Sequence, residues 1–199
     1  MTFDIFSDCL EAFPSPAIME FISLPLPGLI LVRPRIAPDN RGHLIKNYSA
    51  NLFQNNGIEF IPRENFYSVS HLGVIRGMHF QAPPSDYGKL VHCVRGRIQD
   101  AALDIRAGSP TYGKFWSGDL DGLRGEALYL PPGFAHGFYS YLAETVVAYS
   151  VSHVHDPILD RGIRWDSFGH VWPSSTPIIS TRDSGWPSLG EFSTPFLDL

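Results

Sequence analysis

The chain has 199 residues, of which 44% are hydrophobic, so it is long enough for one domain with a sizeable core. Its net charge of −5 and the lack of a basic run argue against nucleic acid as a partner. No apolar run is long enough to span a membrane, and the two cysteines, Cys9 and Cys93, supply neither a disulfide framework nor a zinc-binding spacing.

The N-terminal sequence predicts the location of the protein and the start of its domain. No Lys or Arg precedes Arg33, so the basic region of a signal peptide is missing, and we expect a cytoplasmic protein. Residues 1–18 are acidic and contain a Pro-Ser-Pro break, so we expect them to form an extension. Residues 19–199 are then expected to form a single domain.

The frequent prolines and glycines predict an all-β domain. Seventeen prolines and eighteen glycines divide it into short aromatic and β-branched runs, which leaves little room for long helices. Strands are predicted, in chain order, over residues 21–34 (a strand pair), 43–48, 73–81, 89–94, 98–105, 114–117, 127–130 and 146–155, and residues 58–70 contain a further strand around residues 65–68. Residues 49–55 are the best candidate for a short helix. Residues 156–163 are predicted to form a loop, and the proline-rich residues 172–199 a tail that wraps the domain.

Two features of these strands bear on the fold. Alternation places Tyr149, Val151, His153 and His155 on one face of the last strand. About ten short strands without an internal repeat are typical of a double-sheet jelly roll or a barrel.

Titratable residues are concentrated in the strand over residues 73–81 and just after it. Arg76, His79 and Lys89 occupy strand positions among apolar and β-branched neighbours. Charged and titratable side chains are costly to bury, so three of them at half-buried strand positions indicate a functional site. The alternative is that the two cations extend to solvent and that His79 is a core histidine with satisfied hydrogen bonds.

A second motif resembles part of the cupin family of small β-barrels. Pro131, Gly133 and His136 have the spacing of the second cupin motif. The first cupin motif is degraded, because residues 79–81 contain one histidine where two are expected and no glutamate follows at the right distance. Three good ligands are the minimum for a firm divalent metal site. We therefore expect a cupin shell, a double-stranded β-helix with short flanking helices, that has lost its metal site. His136 is either a relic of the motif or a substrate contact.

Over residues 24–190, the sequence resembles the dTDP-4-dehydrorhamnose 3,5-epimerases and related nucleotide-sugar epimerases. The matching segments are residues 39–42, 73–81, 89–91, 96–100, 104–106, 109–113, 130–138, 162–166, 172–173 and 180–183. Each segment is a weak signal, but their number, order and spacing make the resemblance specific. It implies a cupin jelly roll, a homodimer, no metal or other cofactor, and a nucleotide-diphospho-sugar substrate.

The resemblance also implies roles for individual residues. His79 matches the catalytic base and Asp183 the carboxylate that bonds to it. Lys89 matches the residue beside the keto oxygen of the sugar, and Tyr149 the acid on the opposite face of the ring. Further candidate substrate-binding residues are Arg76 and Arg41, which match diphosphate contacts, and Asn65, His136, Gln81, His155, Arg182 and Lys46.

These roles agree with the chemistry of epimerising a 4-keto sugar. C3 and C5 flank the C4 carbonyl, so a neutral imidazole can remove their protons and leave an enolate. A lysine ammonium stabilises the charge on O4. Inversion then needs an acid on the opposite face, and His79 and Tyr149 are on different predicted strands. The competing interpretation of Tyr149 is a core tyrosine.

Departures from the family pattern fall at positions expected to contact the nucleotide. His43 and Lys46 stand where the family has Phe and Glu, residues 63–65 replace a Gln-x-Asn pattern, and Val154 and His155 replace an aromatic pair. The resemblance makes dTDP-4-dehydro-6-deoxyglucose, inverted at C3, C5 or both, the default substrate, and these departures leave CDP- or GDP-linked sugars open. The sequence also leaves open a 3,4-ketoisomerase, a metal-dependent cupin enzyme and a non-catalytic sugar-nucleotide-binding module.

Overall fold

The computed structural model describes residues 16–197. Most of the predicted extension, together with Cys9, lies outside these residues. The strands are β1 (Glu20–Ser23), β2 (Ile30–Arg33), β3 (Ile36–Asp39), β4 (Gly42–Ile45), β5 (Glu64–Ser70), β6 (Ile75–Gln81), β7 (Lys89–Arg95), β8 (Arg97–Asp104), β9 (Phe115–Asp121), β10 (Ala127–Leu130), β11 (Phe134–Ser140), β12 (Thr145–Val151) and β13 (Asp160–Gly162). The helices are α1 (Ala50–Asn55) and α2 (Thr181–Ser184).

The strands form two large antiparallel sheets and a separate hairpin. The six-stranded sheet has the order β1-β2-β10-β7-β12-β5, and the five-stranded sheet has the order β13-β6-β11-β8-β9. Strands β3 and β4 pair only with each other among the described residues. This arrangement confirms the predicted all-β jelly roll of the cupin type. Within residues 16–197, no helix is both long and apolar enough to cross a membrane.

Alternation along the central strands explains why the protein has apolar clusters on both sides of each sheet. On β7, Val91 faces the core between the sheets, and Leu90 faces a cluster around Phe53 of α1. On β8, Ala102 faces the core between the sheets, and Ala101 faces a cluster that includes Phe196. The period of two in a strand sends neighbours to opposite faces, so both central strands are buried on both sides.

The C-terminal segment covers the outer face of the five-stranded sheet. Phe192 and Phe196 pack edge-on against Phe80 of β6. Backbone hydrogen bonds join Ile178 to Gly73 and Ile75. The segment therefore contacts the strand that carries His79, and it brings α2 close to that strand.

The closest approach between β6 and β11 requires glycine. Gly77 has a φ of +144°, and a Cβ atom there would lie 2.5 Å from the Cα atom of Gly137. The register between the two strands shifts between His136 and Phe138. Because neither glycine has a side chain, the strands can close over this bulge and hold His136 opposite His79.

The predicted elements agree with the structure where the local pattern was strong. The strand pair β1–β2, the helix α1 and the strand β10 are confirmed. The prediction for the last strands of the chain was wrong in three places, of which the first is that no strand was predicted over β11. Strand β12 ends at Val151, opposite Glu64 and Lys89, where both of its partner strands begin, so His153 and His155 are not strand residues. Residues 160–162, predicted as loop, form β13.

Two other boundaries also differ. The predicted strand at 43–48 starts at Gly42 and ends at Ile45, and its partner β3 lies where no strand was predicted. Strand β9 continues to Asp121, beyond its predicted end at residue 117. In both cases the observed ends of the strands are set by pairing with a neighbouring strand, which local propensity does not predict.

Candidate active site

A cavity of about 400 Å³ opens between the two sheets. Its lining residues come from β5, β7 and β12 of one sheet, from β6, β11 and β13 of the other, and from connecting segments. They are Glu64, Phe66, Ser68, Arg76, His79, Tyr87, Lys89, His136, Tyr149, His155, Asp160 and Arg182. Seven of the twelve predicted site residues line this cavity, and Asp183 lies directly behind His79.

His79, which lines the cavity, forms a hydrogen-bonded pair with Asp183 behind it. The distance from Nε2 of His79 to Oδ1 of Asp183 is 2.8 Å. Asp183 is held from two sides, because its backbone N–H donates to Ser180 Oγ and its Oδ2 accepts from the backbone N–H of Gly77. When Nε2 donates its proton to Asp183, the lone pair is on Nδ1, the nitrogen able to accept a proton.

The surroundings of this pair keep the carboxylate charged and the imidazole neutral. Burial opposes the charged form of Asp183, but hydrogen bonds from His79 and Gly77, together with the charge of Arg182, lower its pKa to about 2. Burial lowers the pKa of His79, with Lys89 and Arg182 acting in the same direction and Asp183 opposing them. At neutral pH, His79 is therefore a neutral imidazole beside a carboxylate, which is the state that a general base requires.

Lys89 is the buried cation of the cavity. Its Nζ donates to the backbone carbonyl of His79 at 2.9 Å and lies 5.5 Å from the ring centre of Tyr87. Burial lowers the pKa of Lys89 to about 8, against the charges of Asp160 and Asp100. The amine is mostly protonated at neutral pH, and its low-dielectric surroundings strengthen its attraction for a developing negative charge.

Tyr149 enters the cavity from the opposite sheet. It is on β12, paired with β7 and β5, and its ring stacks on Phe66 with a centroid distance of 4.8 Å. Burial raises the pKa of Tyr149, and the Ser68 hydroxyl partly opposes this change. The phenol therefore keeps its proton across the physiological range and can act as an acid.

His136 is part of a second histidine–carboxylate pair. Its Nε2 is 2.8 Å from Oδ1 of Asp100, and both side chains are almost fully buried. Its ring meets that of Tyr149 edge-on, with centroids 6.1 Å apart. Asp100 was not predicted as a site residue, and it reaches the site through its bond to His136, which lines the cavity.

Three further predicted binding residues line the cavity near its opening. Arg76 is exposed and donates to Ser70 Oγ and to the carbonyl of Val69. Arg182 bonds to Asp160, which also lines the cavity. His155 lies outside any strand but reaches the cavity, because its backbone N–H donates to the Glu64 side chain.

Four predicted binding residues lie away from the cavity. Arg41 is exposed on the β3–β4 hairpin and pairs with Asp39, and Lys46 is exposed just after that hairpin. Asn65 is on the face of β5 turned away from the cavity and accepts a hydrogen bond from Ser150. Gln81 is buried, and its side chain bonds to the backbone of two connecting segments. Within one chain, these four residues do not converge with His79.

Sequence reasoning missed several residues that line the cavity. Glu64, Phe66 and Ser68 share one face of β5, so the period of two could have found them. Tyr87 and Asp160 are on connecting segments and a three-residue strand, and no local pattern marks them. Among the described residues, no group of three or more His, Cys, Asp or Glu side chains is arranged to hold a metal ion.

Comparisons with known proteins show which proteins this chain is similar to. A curated relative, the dTDP-4-dehydrorhamnose 3,5-epimerase of Sinorhizobium fredii, is 40% identical over 182 residues, which cover 89% of this chain and 93% of the relative. The dTDP-4-dehydrorhamnose 3-epimerase of Streptomyces niveus is 34% identical, covering 87% of this chain and 85% of that protein.

A solved structure is also similar. The dTDP-6-deoxy-D-glucose-3,5-epimerase of Legionella pneumophila, crystallised with dTDP-4-keto-L-rhamnose, superimposes with a TM-score of 0.85 at 30% identity. The match covers 90% of this chain and 97% of that one. A sequence model of the dTDP-4-dehydrorhamnose 3,5-epimerases matches residues 23–191. The chain therefore belongs to the dTDP-4-dehydrorhamnose 3,5-epimerase family.

Proposed function

We propose that this protein inverts C3, C5 or both centres of dTDP-4-dehydro-6-deoxyglucose, in deoxysugar biosynthesis, by removing and returning protons through an enolate. The observation that carries the proposal is that a neutral histidine and a protonated tyrosine line one cavity from different sheets. The His79–Asp183 pair belongs to the five-stranded sheet and α2, and Tyr149 belongs to the six-stranded sheet.

The first step is proton removal by His79. The C4 ketone acidifies the C–H bonds at C3 and C5, so a base with a pKa near neutrality is sufficient. The proton moves from carbon to the free lone pair of His79, and the electron pair moves into the enolate. Asp183 then faces an imidazolium, which its fixed negative charge stabilises.

Lys89 stabilises the enolate formed in this step. The negative charge develops on O4, and an ammonium group in a dry cavity stabilises it more strongly in the transition state than in the ground state. The hydrogen bond from Nζ to the His79 carbonyl fixes the cation beside the base. The ammonium is thus in place before the charge appears and needs little reorganisation.

The second step is proton return by Tyr149. Its phenolic proton adds to the carbon from the face opposite His79, and the electron pair of the enolate forms the new C–H bond. Because the acid and the base are different groups on different walls, the configuration at carbon inverts.

The nucleotide end of the substrate is proposed to extend toward the cationic opening of the cavity. Arg76 and Arg182 line that opening and present guanidinium groups, which suit the oxygens of a diphosphate. We further propose that the enzyme needs no metal or other cofactor and acts in the cytoplasm.

We also propose a homodimer in which the β3–β4 hairpin reaches the partner subunit. The hairpin stands apart from both large sheets and exposes 68% of Leu44. A dimer would place Arg41 and Lys46 near a substrate bound in the partner, which accounts for their distance from the cavity of their own chain. Exposed apolar residues on a small, separate sheet favour such pairing.

The function is tested by incubation with 4-keto-6-deoxy sugars linked to dTDP, CDP and GDP in deuterated water. We expect NMR to show deuterium at C3, C5 or both, accompanied by inversion, with the dTDP sugar turned over fastest. Faster turnover of a CDP or GDP sugar would replace the proposed nucleotide. Movement of the carbonyl to C3 would identify a ketoisomerase. No deuterium uptake by the folded protein from any of these sugars would overturn the proposal.

A further inference from the structure

Nε2 of His79 lies within hydrogen-bond distance of two partners with opposite requirements. Oδ1 of Asp183 is 2.8 Å away, and Nη2 of Arg182 is 3.0 Å away. A carboxylate only accepts hydrogen bonds, and a guanidinium only donates them. One nitrogen cannot satisfy both partners at once, because Asp183 requires a proton on Nε2 and Arg182 requires a lone pair there.

The two choices correspond to two tautomers with different chemical ability. With the proton on Nε2, His79 donates to Asp183, and the lone pair on Nδ1 is free to accept a proton. With the proton on Nδ1, the lone pair on Nε2 is occupied by Arg182, and the ring has no free lone pair for a substrate proton. Arg182 and Asp183 therefore compete for the state of His79.

Arg182 also bonds to a second carboxylate, that of Asp160. Nη1 of Arg182 donates to Oδ2 of Asp160 at 2.6 Å, and Nε donates to Oδ1 of Asp183 at 3.2 Å. The guanidinium lies 5.9 Å from the ring centre of Trp186, and about half of the side chain is exposed. Nη1 is thus bound to Asp160 while Nη2 faces His79, so a small rotation of the guanidinium about the Asp160 contact can break the contact with His79.

We propose that Arg182 is a positioning residue that selects the tautomer of His79, and that Asp160 is the anchor that draws the guanidinium away from Nε2. This inference deepens the proposed function, because it takes His79 to be the base. When His79 accepts a proton it becomes a cation, and the Arg182 charge at 3.0 Å then opposes it. The guanidinium must move toward Asp160 for the base to act.

Several charged groups share the surroundings of His79, so their effects have to be separated. Burial lowers the pKa of His79, and the charge of Arg182 adds to this change. Removing that charge should raise the pKa of His79. The ionisable groups that line the cavity or adjoin His79 are Glu64, Arg76, Tyr87, Lys89, His136, Tyr149, His155, Asp160, Arg182 and Asp183.

The test is nitrogen NMR of the unliganded full-length protein with 15N-labelled histidine. A His79→Asn variant assigns the His79 signals. Arg182→Met removes both the donor and the charge, so we expect the Nε2-protonated tautomer alone and a higher His79 pKa. Asp160→Asn weakens the anchor and leaves Arg182 on Nε2, so we expect the Nδ1-protonated tautomer to increase. Arg182→Lys keeps the positive charge but cannot contact Asp160 and His79 through two separate nitrogens. The tautomer ratio of His79 should therefore change while its pKa stays near that of the wild type.

Opposite shifts in the Arg182→Met and Asp160→Asn variants would not follow from a general loss of structure. The same tautomer ratio in the wild type and both variants would overturn the proposal. If Arg182→Met does not fold, Arg182→Lys and Asp160→Asn decide the question. The readout needs no substrate, so expected tautomer shifts in a protein that exchanges no sugar protons would refute the proposed function alone. In an active enzyme, Arg182→Met should also move the acid limb of kcat/KM to higher pH.

Discussion

The ring of Tyr149 is stacked on the ring of Phe66, with centroids 4.8 Å apart and an angle of 16° between the planes. Phe66 is on the edge strand β5, and Tyr149 is on its neighbour β12. The stacking positions the tyrosine ring independently of its hydroxyl. Removal of the hydroxyl should therefore delete the proposed acid without displacing the ring.

Tyr149→Phe is expected to separate proton removal from inversion. His79 would still remove the proton, and the imidazolium would return it mainly to the original face. Deuterium should enter the substrate faster than inverted product forms, and product formation should fall by about a hundred- to ten-thousand-fold. NMR of recovered substrate and product measures both rates. His155 lines the cavity and could soften the effect. Inversion at the wild-type rate would show that Tyr149 is a packing residue.

His79→Asn is expected to abolish deuterium exchange at C3 and C5 while leaving dTDP affinity within a few-fold of wild type. The base acts in the transition state and contributes little to ground-state binding. Exchange is followed by NMR and binding by calorimetry. His153→Asn is the matched control, because His153 is exposed and does not line the cavity. Full exchange in a folded His79→Asn protein would exclude His79 as the base.

The pH profile of kcat/KM is expected to be bell-shaped. The acid limb reflects protonation of His79, whose pKa is lowered from its ordinary value of 6.5, so activity should persist below that pH. The alkaline limb reflects deprotonation of Lys89, whose pKa is about 8, so activity should fall as the pH rises through that value. Lys89→Met should remove the alkaline limb from the residual activity. A limb near pH 8 that survives in Lys89→Met would assign it to another group.

Asp104→Asn is expected to destabilise the fold by about 3 kcal/mol, the order found when one partner of a buried ion pair is removed. Asp104 is fully buried and accepts hydrogen bonds from Arg106, Ser109 and Thr111. Urea unfolding measures the loss. The exposed Asp166 also pairs with an arginine, and Asp166→Asn should leave the urea midpoint nearly unchanged. Equal effects of the two substitutions would contradict the argument.

Light scattering at micromolar concentration is expected to give twice the 22.2 kDa mass of the chain. Leu44→Glu places a charge on the exposed side of the β3–β4 hairpin and should weaken the dimer, because a buried charge without a partner is costly. Leu142→Glu is the control, since Leu142 is also exposed but lies outside the hairpin. A monomeric wild type would remove the proposed role of the hairpin.

The amino-acid sequence was sufficient to predict those helices and strands that short-range patterns of residues determine. The helix at Ala50–Asn55, the strand at Ala127–Leu130 and the strand pair at the start of the domain follow from short-range patterns and turn residues. The all-β class follows from the spacing of proline and glycine. The order and spacing of the motifs were also sufficient to indicate the family, because they extend over nearly the whole domain.

Only the tertiary structure decided which side chains meet. His79 and Asp183 are 104 residues apart, and their contact depends on a C-terminal segment that packs on β6. Strand β13 exists because it pairs with β6, and the last long strand stops at Val151 because its partner strands β5 and β7 begin opposite that residue. Arg182 likewise bonds to Asp160, 22 residues earlier in the chain. Such long-range pairings arise from packing and strand register, and no local pattern of residues contains them.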